Sequence, residues 1–267
     1  MEQELRELIY LDLNKFFILQ RFVIKVGTNI LTQTNGLLAT DFLAELTQAI
    51  KELLLHEKEI VLVTSGAVAA GRGELGVSKL AEDLLVKQAL AAVGQVSLMR
   101  EYYQKFVLEQ QVKIAQLLLS SADFEYLTAR KNTENTLRTL FEKQILPIVN
   151  ENDVTATDEL KYMANDCLAA KVAELIQADG LILLTDVPGV FDRDPDEDNG
   201  AQILRELDRQ NLPVLAGSPR LGGHGGIKTK LKAMKLSKCP VWVVSGKKKN
   251  VLAQIILQGE NPGTLVR

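Results

Sequence analysis

Five short apolar runs, Phe22 to Ile24, Ile60 to Val63, Ile145 to Val149, Leu181 to Leu184 and Val241 to Val244, recur along the chain with helix-length segments between them. Such runs are what strands buried in a core look like. Their spacing gives the β-loop-α order of a parallel sheet, in which the C-terminal ends of the strands share one rim. The first run leads into Lys25-Val26-Gly27-Thr28, and three others stop in Thr64-Ser65-Gly66-Ala67, Asn150-Glu151-Asn152-Asp153 and Thr185-Asp186. Small and polar residues are thereby gathered where a parallel sheet binds its ligands.

Each rim segment has a chemistry. Lys25 beside Gly27 suits a phosphate, since glycine lets backbone N–H groups approach an anion and the ammonium adds a mobile charge. Read alone, Lys-x-Gly at a strand end is more often ordinary punctuation. Gly66 stands where a helix N-terminus would open toward a ligand, or where a turn needs a positive φ. Four successive carboxylate or amide side chains at 150–153 are hard to explain by packing. They can accept hydrogen bonds from an ammonium or hold a metal's water shell, and an Asx turn is the plain alternative. Asn165 and Asp166 fall near the start of the helix LAAKVAELIQA, where a cap accounts for one of them. The stretch Leu221 to Lys230, LGGHGGIKTK, is a glycine-rich loop opening a helix with Lys230 in its first turn, again an anion-binding arrangement.

With 267 residues, 46% hydrophobic and 24% charged, the chain suits one large α/β domain or two small ones. A net charge of −3 argues against a general nucleic-acid surface. Cys167 and Cys239 form no CxxC spacing, so neither a disulfide framework nor a structural zinc site is indicated, and a reducing cytoplasm is the expected home. The apolar positions of residues 1–21 are broken by Asp12, Asn14 and Lys15, which fits neither a signal peptide nor a membrane span. That segment reads as an N-terminal extension ahead of a single domain over 22–267.

Further elements are expected in order. A helix capped by Thr40-Asp41 runs to about His56, with Phe42, Leu43, Leu46, Ile50, Leu53 and Leu54 on one face. Leu80 to Gln110 is a long or broken helix whose Ala89, Ala91, Ala92 and Gly94 permit close packing in the core or against another subunit. Ile114 to Leu119 is a strand, Leu127 to Lys143 a helix, and Thr264 to Val266 an edge strand. Lys247 to Lys249 is a solvated turn.

The motifs KVGTN, VTSGAVAAGR, KQALAAVGQ, VNENDVTAT, LLTDVPGVF and GGIKTK, in that order, closely resemble those of the glutamate 5-kinases in the amino acid kinase family. The resemblance runs from Phe22 to the C-terminus. It implies a three-layer αβα sandwich around a mainly parallel sheet, with an N-terminal part that binds L-glutamate and a C-terminal part that binds ATP with Mg²⁺. It further implies phosphorylation of the γ-carboxylate of glutamate at the entry to proline biosynthesis. Lys25, Lys230 and Asp166 would be catalytic, Asp166 orienting the two ammonium groups. Ser65, Asp153 and Asn165 would bind glutamate. Lys25, Gly27, Thr185, Asp186 and the run His224, Gly225, Gly226, Ile227, Lys228, Thr229 and Lys230 would bind ATP. Homo-oligomers and feedback by proline are also implied, with no nucleic-acid or membrane partner.

The chain departs from the family's pattern in three places. Met163-Ala164-Asn165-Asp166 stands where Gly-Asp-Asn-Asp is usual, which removes one acidic substrate contact. Gly223-His224-Gly225-Gly226 replaces Gly-Thr-Gly-Gly and puts a titratable ring beside the phosphates. A C-terminal PUA domain, present in many bacterial members, is absent from this sequence. An amino acid kinase acting on another carboxylate, or a non-catalytic glutamate or proline sensor, are the alternatives.

Overall fold

The computed structural model describes residues 20–33, 37–77, 83–155, 164–195, 198–212 and 226–267. In chain order the main elements are β1 (Arg21–Val26), α1 (Thr28–Leu31), α2 (Thr40–Leu55), β2 (Glu59–Val63), α3 (Ala67–Leu75) and α4 (Leu84–Tyr102), which runs into a π-helical segment (Tyr103–Glu109). After these come β3 (Ile114–Leu119), α5 (Ala122–Glu125), α6 (Leu127–Glu142), β4 (Leu146–Glu151), α7 (Asn165–Leu175) and β5 (Gly180–Thr185). The chain closes with β6 (Glu206–Leu207), α8 (Gly226–Leu236), β7 (Val241–Ser245), α9 (Val251–Ile256) and β8 (Thr264–Val266).

The eight strands form one sheet in the order β3-β4-β2-β1-β5-β7-β8-β6. Every neighbouring pair is parallel except β7 with β8. The first strand is therefore central, flanked by β2 and β5, and the chain winds outward from it in both directions. That makes the C-terminal end of β1 the switch point where an open α/β sheet leaves a crevice.

Side-chain parity sorts the two cores. Phe22, Ile24 and Val26 of β1 pack on the face covered by Leu43, Leu46, Ile50 and Leu53 of α2, by Leu98 and Tyr102 of α4 and by Leu252, Ile255 and Ile256 of α9. Val23 packs on the opposite face, against Leu137 of α6, Leu168 and Val172 of α7 and Met234 of α8. The same alternation holds in β2, where Ile60 and Leu62 share the first face and Val61 and Val63 the second.

Three expectations change. Neither Thr40 nor Asp41 caps α2: the cap position is Ala39 and no side chain bonds there, so Asp41 is left in the first turn, favourably placed against the helix dipole. The long helix begins at Leu84, where the Asp83 carboxylate accepts from the Val86 N–H at 2.8 Å; residues 80–82 of the expected span lie outside the described residues. Thr264–Val266 is not an edge strand, because β6, too short to be legible, pairs along its free side.

The Ala/Gly pattern of α4 is used within the chain. A Cβ built on Gly94 would stand 1.8 Å from the Ala67 carbonyl oxygen, and one on Gly71 would stand 2.0 Å from that of Leu90. Helices α3 and α4 thus touch backbone to backbone, which fixes the angle at which α3 leaves the rim.

Candidate active site

Parity places Lys25 on the same face as Val23, toward α7 and α8 rather than into the apolar core behind it. There it meets Asp166, the second residue of α7: Lys25 Nζ lies 2.7 Å from Asp166 Oδ1. Lys230, in the second turn of α8, brings its Nζ to 4.0 Å from Oδ2 of the same carboxylate, and the Thr229 hydroxyl donates to that oxygen at 2.9 Å. Asp166 is 1% exposed, and Lys25 and Lys230 are 7% each. Burial alone would push the Asp166 carboxyl up, but the two ammonium charges, with hydrogen bonds from Lys25 and Thr229, outweigh it and hold the group below the ordinary range. The Lys230 ammonium is pulled down by burial first, with repulsion from Lys25, against the opposing attraction of Asp166 and Asp186.

Asp166 and Asn165 are not caps. The cap position of α7 is Ala164, which offers no side-chain acceptor. Asn165 turns instead toward the ends of β2 and β4. Its Nδ2 donates to Ser65 Oγ at 3.2 Å and to Asn150 Oδ1 at 3.1 Å, while its Oδ1 accepts from the Glu151 N–H at 3.2 Å. Asp153, in a one-turn 3-10 helix just past β4, has its carboxyl pushed up to about 6 by burial.

On the other side of Lys25, at the end of β5, the Thr185 hydroxyl donates to Asp186 Oδ1 at 3.0 Å and Asn29 Nδ2 donates to Asp186 Oδ2 at 2.9 Å. A single cavity of about 340 Å³ joins the two sides. Its wall includes Lys25, Ser65, Asp153, Asn165, Asp186 and Lys230. That volume lies within the range of small-molecule sites.

Two expectations shift, the donor role of Gly27 and the place of Lys228. The Gly27 N–H is bonded to the Leu184 carbonyl at 3.2 Å and is therefore not a donor for phosphate; at φ −77° the residue needs no glycine conformation either, and a Cβ would sit 3.7 Å from Lys25 Nζ. Gly66 does need one: it caps α3 at φ 95°, and the added Cβ would press on Leu31 Cδ2 at 3.1 Å. Lys228 is exposed and is absent from the cavity wall. His224 and Gly225 lie outside the described residues, and Gly226 and Ile227 are described only as the backbone that starts α8.

Asn29, Asn150 as an individual residue, Arg72 and Lys87 all line the cavity without having been expected there. Arg72 and Lys87 stand inside the VTSGAVAAGR and KQALAAVGQ motifs, and that was their only signal. Among the described residues no three His, Cys, Asp or Glu side chains gather as a metal cluster, and no helix is long and apolar enough to cross a membrane.

Residues 20–245 match the amino acid kinase family. A glutamate 5-kinase from Caldanaerobacter subterraneus subsp. tengcongensis is 40% identical over 250 residues, 91% of this chain and 67% of that protein. Another, from Alkaliphilus metalliredigens, is 38% identical over 254 residues, which is 92% of this chain and 95% of its own length. Among solved structures, an isopentenyl phosphate kinase in complex with substrate superposes with a TM-score of 0.64 at 18% identity, covering 92% of this chain and all of that one. A UMP kinase from Bacillus anthracis gives 0.63 at 16% identity, covering 93% of this chain and 96% of its own.

Proposed function

The chain belongs to the amino acid kinase family, among its glutamate 5-kinases, and from that premise we propose how its cavity moves the γ-phosphoryl group of ATP onto the γ-carboxylate of L-glutamate, the opening step of proline biosynthesis. The observation that carries the assignment of roles is the meeting of Lys25, Asp166 and Lys230 inside one cavity, between the Ser65–Asn165 side and the Thr185–Asp186 side.

The acceptor needs no general base, because a γ-carboxyl with an ordinary pKa near 4.3 is already ionised at neutral pH. What opposes reaction is charge: an anionic oxygen must approach an anionic phosphoryl group. Two ammonium groups and one carboxylate sum to one positive charge at the meeting point, buried where it is weakly screened. Asp166, locked between the lysines, orients them and takes no proton. A glutamate carboxylate oxygen attacks the γ-phosphorus, the bond to the β,γ-bridging oxygen breaks, and ADP leaves with that electron pair.

The strand order supports an in-line arrangement of the reactants. The segments just past β4 and β2 supply Asp153 and Ser65 to glutamate and the start of α7 adds Asn165, β1 supplies Lys25 in the middle, and the end of β5 supplies Thr185 and Asp186 to the nucleotide. Acceptor and donor then share one domain, each on its own half of the sheet. Glutamate places its ammonium against Asp153. Asp186 is the carboxylate that would help hold Mg²⁺ on the nucleotide side, where the ion would neutralise phosphate charge. Proline, which keeps the amino and α-carboxylate groups but lacks the γ-carboxylate, would occupy the Asp153 and Asn165 end and compete with glutamate.

The test is coupled ADP release with ATP, Mg²⁺ and L-glutamate, run beside aspartate, N-acetylglutamate and no acceptor, with Lys230→Ala as control. Turnover on glutamate that is lost in the variant is the expected result. Turnover on a different acid alone, or none on any acceptor, would sink the reading.

A further inference from the structure

The KQALAAVGQ motif ends in Gln95, a residue of α4 outside the cavity wall that the phosphoryl-transfer chemistry leaves unused. Its Oε1 accepts from Asn150 Nδ2 at 2.8 Å, and its Nε2 is buried with no hydrogen-bond partner. Asn150 Oδ1 in turn accepts from the Glu151 N–H at 2.9 Å and from Asn165 Nδ2 at 3.1 Å. Gln95, Asn150, Asn165 and Ser65 thus form one chain of hydrogen bonds running from α4, around the end of β4, to the acceptor side of the cavity.

The direction of that chain is fixed by one group that cannot turn over. Side-chain amides can exchange their oxygen and nitrogen positions, so their assignment has to come from the network. A backbone N–H is a donor in every case. The Glu151 N–H faces both Asn150 Oδ1 and Asn165 Oδ1, so both amides must present oxygen to it. Asn150 is then left with Nδ2 toward α4, and Gln95 must answer with its oxygen. The unpartnered Nε2 is the cost of that answer, a buried donor that a rotated amide could have used only by breaking the bond to Asn150. At the far end, Ser65 Oγ accepts from Asn165, which frees the hydroxyl hydrogen to point into the cavity.

We propose that Gln95 is a positioning residue for the acceptor: by accepting from Asn150 it holds in place the amide orientation that the Glu151 N–H dictates, and so keeps Asn165 a donor to Ser65 and Ser65 a donor to a carboxylate oxygen of the substrate. The proposal rests on the acceptor reading given above. Gln95 touches no substrate itself. Its influence is confined to the glutamate side, because the chain ends at Ser65 and reaches neither Thr185 nor Asp186.

The experiment is steady-state kinetics on the full chain with Gln95→Met and Gln95→Glu. Gln95→Met keeps the length and removes the acceptor, which leaves Asn150 Nδ2 without a partner; KM for glutamate should rise about 10-fold, the size of one lost buried hydrogen bond, with KM for ATP within about 2-fold. Gln95→Glu keeps an acceptor oxygen toward Asn150 whether ionised or protonated, so it should hold KM for glutamate within about 2-fold of wild type. A glutamate KM unchanged in Gln95→Met, or KM raised alike for both substrates, would overturn the positioning role. A 10-fold rise in Gln95→Glu would overturn the polarity, and this variant decides the matter if Gln95→Met does not fold. Wild-type protein that releases no ADP with glutamate fails before either variant is compared, and takes the acceptor reading and the relay down together.

Discussion

Asn165 and Asp166 are adjacent in sequence, both in the first turn of α7, yet they serve two regions built on different physics. Asp166 enters a cluster of full charges, held between two buried ammonium groups. Asn165 enters a chain of neutral amides and a hydroxyl. About 100° of helix rotation separates them, enough to aim one at the end of β1 and the other at the ends of β2 and β4. Charges gather where charge is to be moved, and they stabilise it without rearranging. Dipoles gather where a ligand's shape must be read, since a neutral donor or acceptor discriminates by direction at little desolvation cost.

The harshest way to break the charged side is Asp166→Asn. It leaves Lys25 and Lys230 buried without the carboxylate they share, so turnover should fall by about 10²- to 10³-fold and unfolding free energy by about 3–5 kcal/mol. Turnover numbers and chemical denaturation check both. Activity within tenfold of wild type would mean the carboxylate does not organise the lysines.

A smaller effect sharpens the contrast through pH. The two carboxyls shift in opposite directions. Asp166, held low, contributes stability that is present above its unfolded value and lost as pH falls through the folded one. Asp153, raised to about 6, favours the fold when protonated; that contribution is complete below about pH 4 and disappears as pH rises through 6. Asp153→Asn should therefore stabilise the protein by about 1–2 kcal/mol at pH 7.5, with the gain vanishing near pH 4. It should also raise KM for glutamate by about 10- to 100-fold, the loss of one charge-assisted hydrogen bond. In wild type that KM should climb as pH drops below about 6 and stay flat above 7. Thermal melts and KM profiles between pH 5 and 8 follow both, and a pH-independent KM would remove Asp153 from the ammonium's neighbourhood.

The mildest change adds rather than removes. Ala164 occupies the cap position of α7 and lines the cavity. Ala164→Asp should cap the helix for about 1 kcal/mol and lower KM for glutamate a few-fold by supplying a second carboxylate to the ammonium. A higher KM would place the ammonium elsewhere.

Much of the fold was legible. The apolar runs at 22–24, 60–63, 145–149, 181–184 and 241–244 all became strands of the central sheet, because a segment apolar on both sides has nowhere to go but between two layers of helix. β6 escaped notice, since two residues carry no period. The amide and acid cluster after Val149 was legible as a site but not as an arrangement. Asn150 and Glu151 still belong to β4, while Asn152 and Asp153 have left it, so successive residues diverge instead of forming one patch. Gly27 misled for a related reason: its N–H was taken by Leu184 on a neighbouring strand, a partner distant in sequence.

What the sequence determined by itself was the parallel α/β class, the family, and the rim on which Lys25, Ser65, Asp153, Thr185 and Asp186 stand. These follow from periodicity and local motifs, which depend on residues close together in the chain. Only the tertiary structure decided that Lys25 and Lys230, some two hundred residues apart, share one carboxylate, that Gly27 is no donor, and that Gln95 stands behind the acceptor amides. Those outcomes rest on register and side-chain parity, where a step of one residue turns a group from the cavity to the opposite face, and no local pattern records which strands will be neighbours.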